Sequence, residues 1–188
     1  AILIEIFSGK KIGLKERSTM QDAISAHNVG GIVKLTGFIL KTTLLFEMIG
    51  ALLMAPAFCR EFGFWKGIWY GGFHSISAFC NAGIDIIAEN SLCNYATNPV
   101  INTVTGLLII LSGIGYIVWW DLIRVTKNFK KQKFKCYRNL SLHSKIALIS
   151  TAVLIFAGAL LFFVFEYNNP QTMGDFPVSG KIQASLFQ

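Results

Sequence analysis

The sequence predicts an all-α polytopic membrane protein built from helix, re-entrant pore loop, helix repeats, and three observations predict it. Of its 188 residues, 53% are hydrophobic and 14% are charged, with a mean hydropathy of +0.54; an average soluble domain carries about 25% charged residues. Long apolar runs alternate with short polar gaps that hold most of the charge. Between two of those runs lies the stretch 71–85, uncharged until its last residue yet too rich in Gly, Ser, His and Asn for an ordinary spanning helix.

The net charge of +7 does not read as nucleic-acid binding, which needs basic residues along a folded soluble face. The Lys and Arg residues instead cluster, five in residues 10–34 and eight in 124–145. Such clusters mark cytoplasmic loops, and an anionic-lipid or nucleic-acid patch is the weaker alternative. Cys59, Cys80, Cys93 and Cys136 lack CxxC spacing and zinc-site His partners, so no metal cluster is expected. Cys59 and Cys93 form the one plausible disulfide pair, and no structural disulfide is expected. The chain opens without an initiator Met or signal-peptide pattern and is expected to be a fragment.

Residues 1–34 begin with a short apolar piece, 2–7, read as the tail of a truncated helix. Residues 35–59 are long enough to cross the roughly 30 Å hydrocarbon core at about 1.5 Å per residue. Lys41 lies near their start, within snorkelling reach of the headgroups, while Glu47 lies deeper. An intramembrane carboxylate faces protein or water, so Glu47 is either on a cation path or in a structural contact between helices. Pro56 and the polar residues 60–63 are expected to end this helix. Trp65, Trp69 and Tyr70 then mark an interface, from which residues 73–80 descend as a short helix and 81–83 as an extended tail. Residues 89–91 and 94–99 return the chain to the same side. Residues 100–120 are free of charge and predict a spanning helix, with Gly106, Gly113 and Gly115 permitting close packing and Trp119, Trp120 and Asp121 at its exit. Residues 146–165 predict a further span. Residues 181–188 follow it as the candidate start of a second re-entrant stretch.

Half a membrane crossing that turns back must line a cavity, because lipid cannot satisfy irregular backbone. Carbonyls exposed in such a place are cation ligands. Gly83 lacks a Cβ and can turn carbonyls toward an axis, and the helix before it aims its partially negative C-terminal end at the same point. His74 reads as a hydrogen-bond anchor rather than an ion ligand or proton relay. Asp85 reads equally as an outer-mouth carboxylate that concentrates cations and as a loop-exit residue bonded to nearby backbone. Ser75 and Ser77 read as local helix hydrogen bonders. No Ser/His/Asp triad is supported, since no nucleophile elbow surrounds these serines.

Phe73-His74-Ser75-Ile76-Ser77-Ala78-Phe79-Cys80-Asn81-Ala82-Gly83 resembles the second pore loop of the TrkH/KtrB/HKT superfamily of potassium and sodium transporters, whose pattern runs close to FHSISAFxNAGF. Ile-Leu-Ser-Gly-Ile-Gly-Tyr at 110–116, Leu-Ser-Leu-His-Ser-Lys at 140–145 and Glu166 also resemble KtrB-type members. The resemblance implies four covalently linked repeats around one potassium path, with a filter glycine from each. It divides the chain into 1–34, the end of a preceding repeat; 35–126, a complete repeat; 127–145, a basic cytoplasmic loop; and 146–188, the first helix of the next repeat with an outer segment. It implies Asn81, Ala82 and Gly83 as the filter strand, and keeps Asp85 and Glu47 as candidates for the outer mouth or cation path. Ile84 departs from the family's Phe, which touches the packing behind the strand and not its backbone chemistry.

The expected function is then the membrane subunit of a potassium uptake system, passing K+ through backbone carbonyls, with no covalently bound cofactor and no catalytic residues. The implied partners are the lipid bilayer, a second copy in a homodimer and a cytosolic nucleotide-binding regulatory subunit, with no nucleic acid. The implied location is the cell (inner or plasma) membrane, multi-pass, with 10–34 and 124–145 cytoplasmic. Three alternatives stand beside it: a sodium or mixed sodium/potassium transporter of the same superfamily, a polytopic enzyme using His74 and Asp85 as an acid/base pair, and a non-conducting assembly subunit.

Overall fold

A computed structural model describes residues 32–87, 91–127, 139–174 and 176–187. The expectations placed on residues 2–7, on the basic groups 10–31 and 128–138, on Glu89 and Asn90, and on Cys136 lie outside them. The chain divides into two units, Ala1–Leu45 and Phe46–Gln188. Among the described residues are six α-helices, one 3-10 helix and no strand. They are α1, Ile32–Phe62; α2, Phe64–Phe79; the 3-10 turn Ser91–Tyr95; α3, Pro99–Gly113; α4, Tyr116–Lys127; α5, Leu142–Glu166; and α6, Val178–Phe187.

In the first unit the described chain is the opening of α1. Thr42 Oγ1 there bonds back to the carbonyls of Phe38 and Ile39, both at 2.9 Å, which satisfies a hydroxyl inside an apolar run.

In the second unit α1 continues through Pro56, contrary to the expectation that this proline helps to end it. Met54 and Phe58, two residues to either side, are fully buried, so packing holds the helix across the missing N–H. The chain leaves the helix at Gly63, whose φ of 82° lies in the region glycine tolerates best. α2 begins at once at Phe64, well before the expected start at residue 73. Its 16 residues rise about 24 Å at 1.5 Å each, short of a full crossing.

Glycines set how closely these elements meet. A Cβ on Gly67 of α2 would overlap the backbone of Cys59 on α1, and one on Gly71 would lie 3.0 Å from the Cα of Ala55. Two glycines one turn apart let helix backbones touch, the small-residue packing that substitutes for a hydrophobic driving force in lipid. The core beside this contact joins Met54 and Phe58 to Ala78, Phe79, Tyr95, Ile101 and Leu108. Phe58 is its hub, with the rings of Tyr70, His74 and Tyr95 at 6.5, 5.5 and 5.3 Å.

The single span expected over 100–120 is broken instead. α3 and α4 meet at 91°, and Gly115 makes the corner with φ of 91°. The break releases α3's last carbonyls, and the Trp119 indole nitrogen donates to that of Leu111 at 2.8 Å, so the polar groups freed by the bend are recaptured. α3 starts on an Asn98 cap, whose Oδ1 accepts from the amides of Val100 and Ile101 at 3.0 and 3.2 Å. At the far end of α4, buried Asp121 accepts from the Ser141 amide and the Ser144 hydroxyl, each at 2.8 Å, and from Arg124. One carboxylate thus ties α4 to the start of α5.

α5 and the α1 segment Leu35–Phe62 are long and apolar enough to cross a membrane, and the bent α3–α4 pair makes up to three such spans among the described residues. α6, where the sequence suggested a re-entrant start, is a 10-residue helix. It is held to the end of α5 by Lys181, whose Nζ donates to the Tyr167 carbonyl at 2.7 Å and sits 4.2 Å from that residue's ring centre. Cys59, Cys80 and Cys93 are free thiols.

Gly67→Ala is expected to destabilise the complete protein by about 1–3 kcal/mol through overpacking, read as a lower Tm in detergent. Gly72→Ala, where a Cβ would meet nothing within 4 Å, is expected to hold or raise Tm, as alanine is the better helix former by about 1 kcal/mol. Equal Tm changes in the two variants would rule out the close-contact role of Gly67.

Candidate functional site

α2 ends because its last turns find partners that are not helical. The Cys80 amide still bonds to the Ile76 carbonyl at 2.9 Å, but the Asn81 amide reaches Ala78 at 3.1 Å and the Ala82 amide reaches back to Ser77 at 2.9 Å. Asn81 and Gly83 both take positive φ, 51° and 63°, in the left-handed region open to Gly and tolerated by Asn. The strand that leaves the helix is then clipped back onto it. Ser77 Oγ donates to the Ile84 carbonyl at 2.7 Å and accepts from the Ile84 amide at 2.9 Å.

These bonds fix residues 81–84 at both ends and leave the middle uncommitted. Among the described residues, the carbonyls of Asn81, Ala82 and Gly83 accept no hydrogen bond. All three residues are exposed, and a Cβ on Gly83 would meet nothing within 4 Å. Three free carbonyls therefore sit just beyond the partially negative end of a 16-residue helix. The Asn81 side chain is steadied by Ser112 of α3 at 3.3 Å. Behind the strand lies a cavity of about 270 Å3, lined among others by His74, Ser77, Asn81, Asp85 and Thr105.

His74 is buried, with Nδ1 2.8 Å from the Tyr70 carbonyl and Nε2 2.7 Å from Asp85 Oδ1. The same carboxylate oxygen accepts from the Ile87 amide at 2.8 Å. The Ile87 amide and the His74 ring thus share one carboxylate oxygen of Asp85. Asp85 Oδ2 is buried without a partner among the described residues.

Two sequence readings change here. Ser75 and Ser77 were expected to bond within their own helix. Ser75 Oγ instead donates to the Glu47 carbonyl of α1 at 2.7 Å, and Ser77 holds Ile84. Gly50 allows the first contact, since a Cβ there would overlap the Ser75 hydroxyl. Glu47 enters the site through its main chain, supporting α2 from behind. The signal that was available is spacing: Gly50 one turn from Glu47, and Gly67 and Gly71 four apart on α2.

A family model described as cation transport protein, TrkH, matches residues 1–188. The chain is 36% identical over 188 residues, all of it and 40% of the relative, to Ktr system potassium uptake protein B of Bacillus subtilis (strain 168). It is 36% identical over 167 residues, 89% of it and 35% of the relative, to potassium/sodium uptake protein NtpJ of Enterococcus hirae. It is 30% identical over 188 residues, all of it and 39% of the relative, to Ktr system potassium uptake protein B of Vibrio alginolyticus. The chain thus spans about two fifths or less of the length of these curated relatives.

Ser77→Ala removes both bonds to Ile84. Amide hydrogen exchange at Ile84 is expected to accelerate about tenfold for each 1.4 kcal/mol lost from the clip. Exchange at native rates would show that the strand is held by something else.

Proposed function

The chain belongs to the TrkH family of cation transport proteins, and from that premise we propose that it is part of the membrane subunit of a potassium uptake system. The observation that carries this reading is the run of uncommitted carbonyls at Asn81, Ala82 and Gly83, set beyond the C-terminal end of α2. A potassium ion gives up its hydration shell only where oxygens replace it, and a ring of backbone carbonyls does so without carrying a full charge that would trap the ion. Asn81–Gly83 supply one quarter of such a ring. The other three quarters come from three further repeats of the same covalent chain, which the greater length of the relatives accommodates.

The left-handed φ of Gly83 serves this chemistry by giving the strand a backbone turn that a residue with a Cβ adopts only under strain. The residues around it serve as scaffold: Ser77 clips the strand and Ser75 braces α2 on α1. K+ is the transported ion and no bound cofactor takes part. The names of two relatives, potassium uptake proteins of a Ktr system, support a multi-component assembly, in which this subunit pairs with a second copy and with a cytosolic nucleotide-binding regulator. The clustering of basic residues in 10–34 and 124–145 supports a multi-pass orientation in the cell membrane with both segments cytoplasmic.

A sodium or mixed sodium/potassium path is the second reading, favoured by the potassium/sodium name of the Enterococcus relative. The acid/base enzyme reading loses support from the geometry. Both nitrogens of His74 are engaged, by Tyr70 and Asp85, so neither is presented to a substrate.

Gly83→Ser in the complete protein is expected to lower potassium uptake or potassium-over-sodium preference at least tenfold. A side chain at this φ costs about 1–2 kcal/mol in backbone strain and displaces the carbonyl. Rubidium uptake with sodium competition measures both, and native rate with native preference would remove Gly83 from the filter.

A further inference from the structure

Proton bookkeeping at His74 says what Asp85 does. Nδ1 faces the Tyr70 carbonyl at 2.8 Å, and a carbonyl only accepts, so Nδ1 carries hydrogen. Nε2 lies 2.7 Å from Asp85 Oδ1, and that contact needs a hydrogen as well. One hydrogen is shared between Nε2 and Oδ1, so each of the two groups is committed to the other. The Phe58 and Phe73 rings lie 5.5 and 5.6 Å from the His74 ring and pack against it. Tyr95, on the 3-10 turn and also packed on Phe58, has its hydroxyl committed to Glu61. Asp85 Oδ1 is therefore committed to His74 and the Ile87 amide.

Resting on the filter reading above, we propose that the His74–Asp85 pair is a positioning and ion-specificity device: it clasps the exit of the filter strand to α2 and acts through geometry, not by attracting or ligating cations. The clasp completes a three-point fixation. The Ala82 amide holds the strand's start on Ser77, the Ser77 hydroxyl holds Ile84, and His74 holds Asp85, which in turn fixes the Ile87 amide. His74 lies one turn before Ser77 on the same helix, so both clasps hang from one rigid element. Carbonyl spacing at 81–83 is then set by the distance between the attachments at residues 82, 84 and 85.

The two roles separate by substitution. Asn at position 85 lacks the charge, but its Oδ1 can accept from both the Ile87 amide and a His74 Nε2–H, the two contacts that Asp85 Oδ1 makes, whereas Ala can do neither. The test is potassium-over-sodium preference and apparent potassium affinity, by rubidium uptake in the complete protein. Asp85→Ala and His74→Ala are each expected to lower the preference about tenfold, and the double variant no further, because the two residues act as one unit. Asp85→Asn is expected to restore most of what Asp85→Ala loses. If Asn fails like Ala, the charge acts on the ion and the proposal is overturned; additive losses in the double variant overturn it equally.

Should the alanine variants fail to fold, the native protein still decides. Imidazole spectra, with His74 assigned by its loss in His74→Gln, are expected to show ring protons protected from exchange with solvent, as both ring nitrogens are engaged. Ring protons that exchange at the rate of a free imidazole overturn the proposal. Failure of the filter reading is distinguishable, since it appears as native ion preference in Gly83→Ser whatever position 85 does.

Discussion

Backbone in an apolar setting must place every N–H and C=O on some partner, and residues 80–87, which follow α2, are organised by how they meet that demand. Helix geometry satisfies α2 as far as Cys80. Beyond it, side chains take over: Ser77 takes both polar groups of Ile84, and Asp85 takes the Ile87 amide. What is left over is a row of carbonyls at 81–83. Ser77 takes the amides of Ala82 and Ile84, while the carbonyls of residues 81–83 accept no bond among the described residues, which leaves a row of free acceptors. A dehydrated cation is the partner such a surface suits.

The scaffold that holds this strand is close helix contact, not a large core. Gly67 and Gly71 bring α2 against Cys59 and Ala55, and Gly50 brings Ser75 within reach of the Glu47 carbonyl. Each approach depends on a missing Cβ. Phe58 fills the space beside them and touches Tyr70, His74 and Tyr95 at once, so one aromatic ring registers α1, α2 and the 3-10 turn. The strand at residues 81–84, tied to α2 through Ser77, inherits the precision of that contact.

The bend at Gly115 and the Asp121 junction extend the same logic to the other end of the second unit. A helix that breaks in an apolar setting needs its freed carbonyls covered, and Trp119 covers Leu111. Asp121 caps the start of α5 from the end of α4, taking the Ser141 amide and the Ser144 hydroxyl. An acidic side chain at a helix N-terminus is favoured by the helix dipole, and here it comes from a neighbouring helix across the basic segment. The Leu-Ser-Leu-His-Ser-Lys stretch at 140–145 is thus the receptor for that carboxylate.

The sequence by itself determined the class of the molecule, the long apolar segments in α1 and α5, and the anomaly at 71–85, because hydropathy, charge placement and helical length are local properties. The motif through Gly83 also marked the filter candidates and their family before any coordinate. Tertiary structure decided the rest. Local rules ended a helix near Pro56, yet Met54 and Phe58 pack it through; they ran 100–120 straight, yet Gly115 turns it by 91°. Ser75 and Ser77 were unreadable because a hydroxyl bonds as readily within a helix as across to another segment, and only the approach of Glu47 and Ile84 chooses. The stretch 71–85 shows both halves: its composition announced a re-entrant loop, while the pairing of His74 with Asp85, eleven residues apart, exists only because the strand folds back along α2.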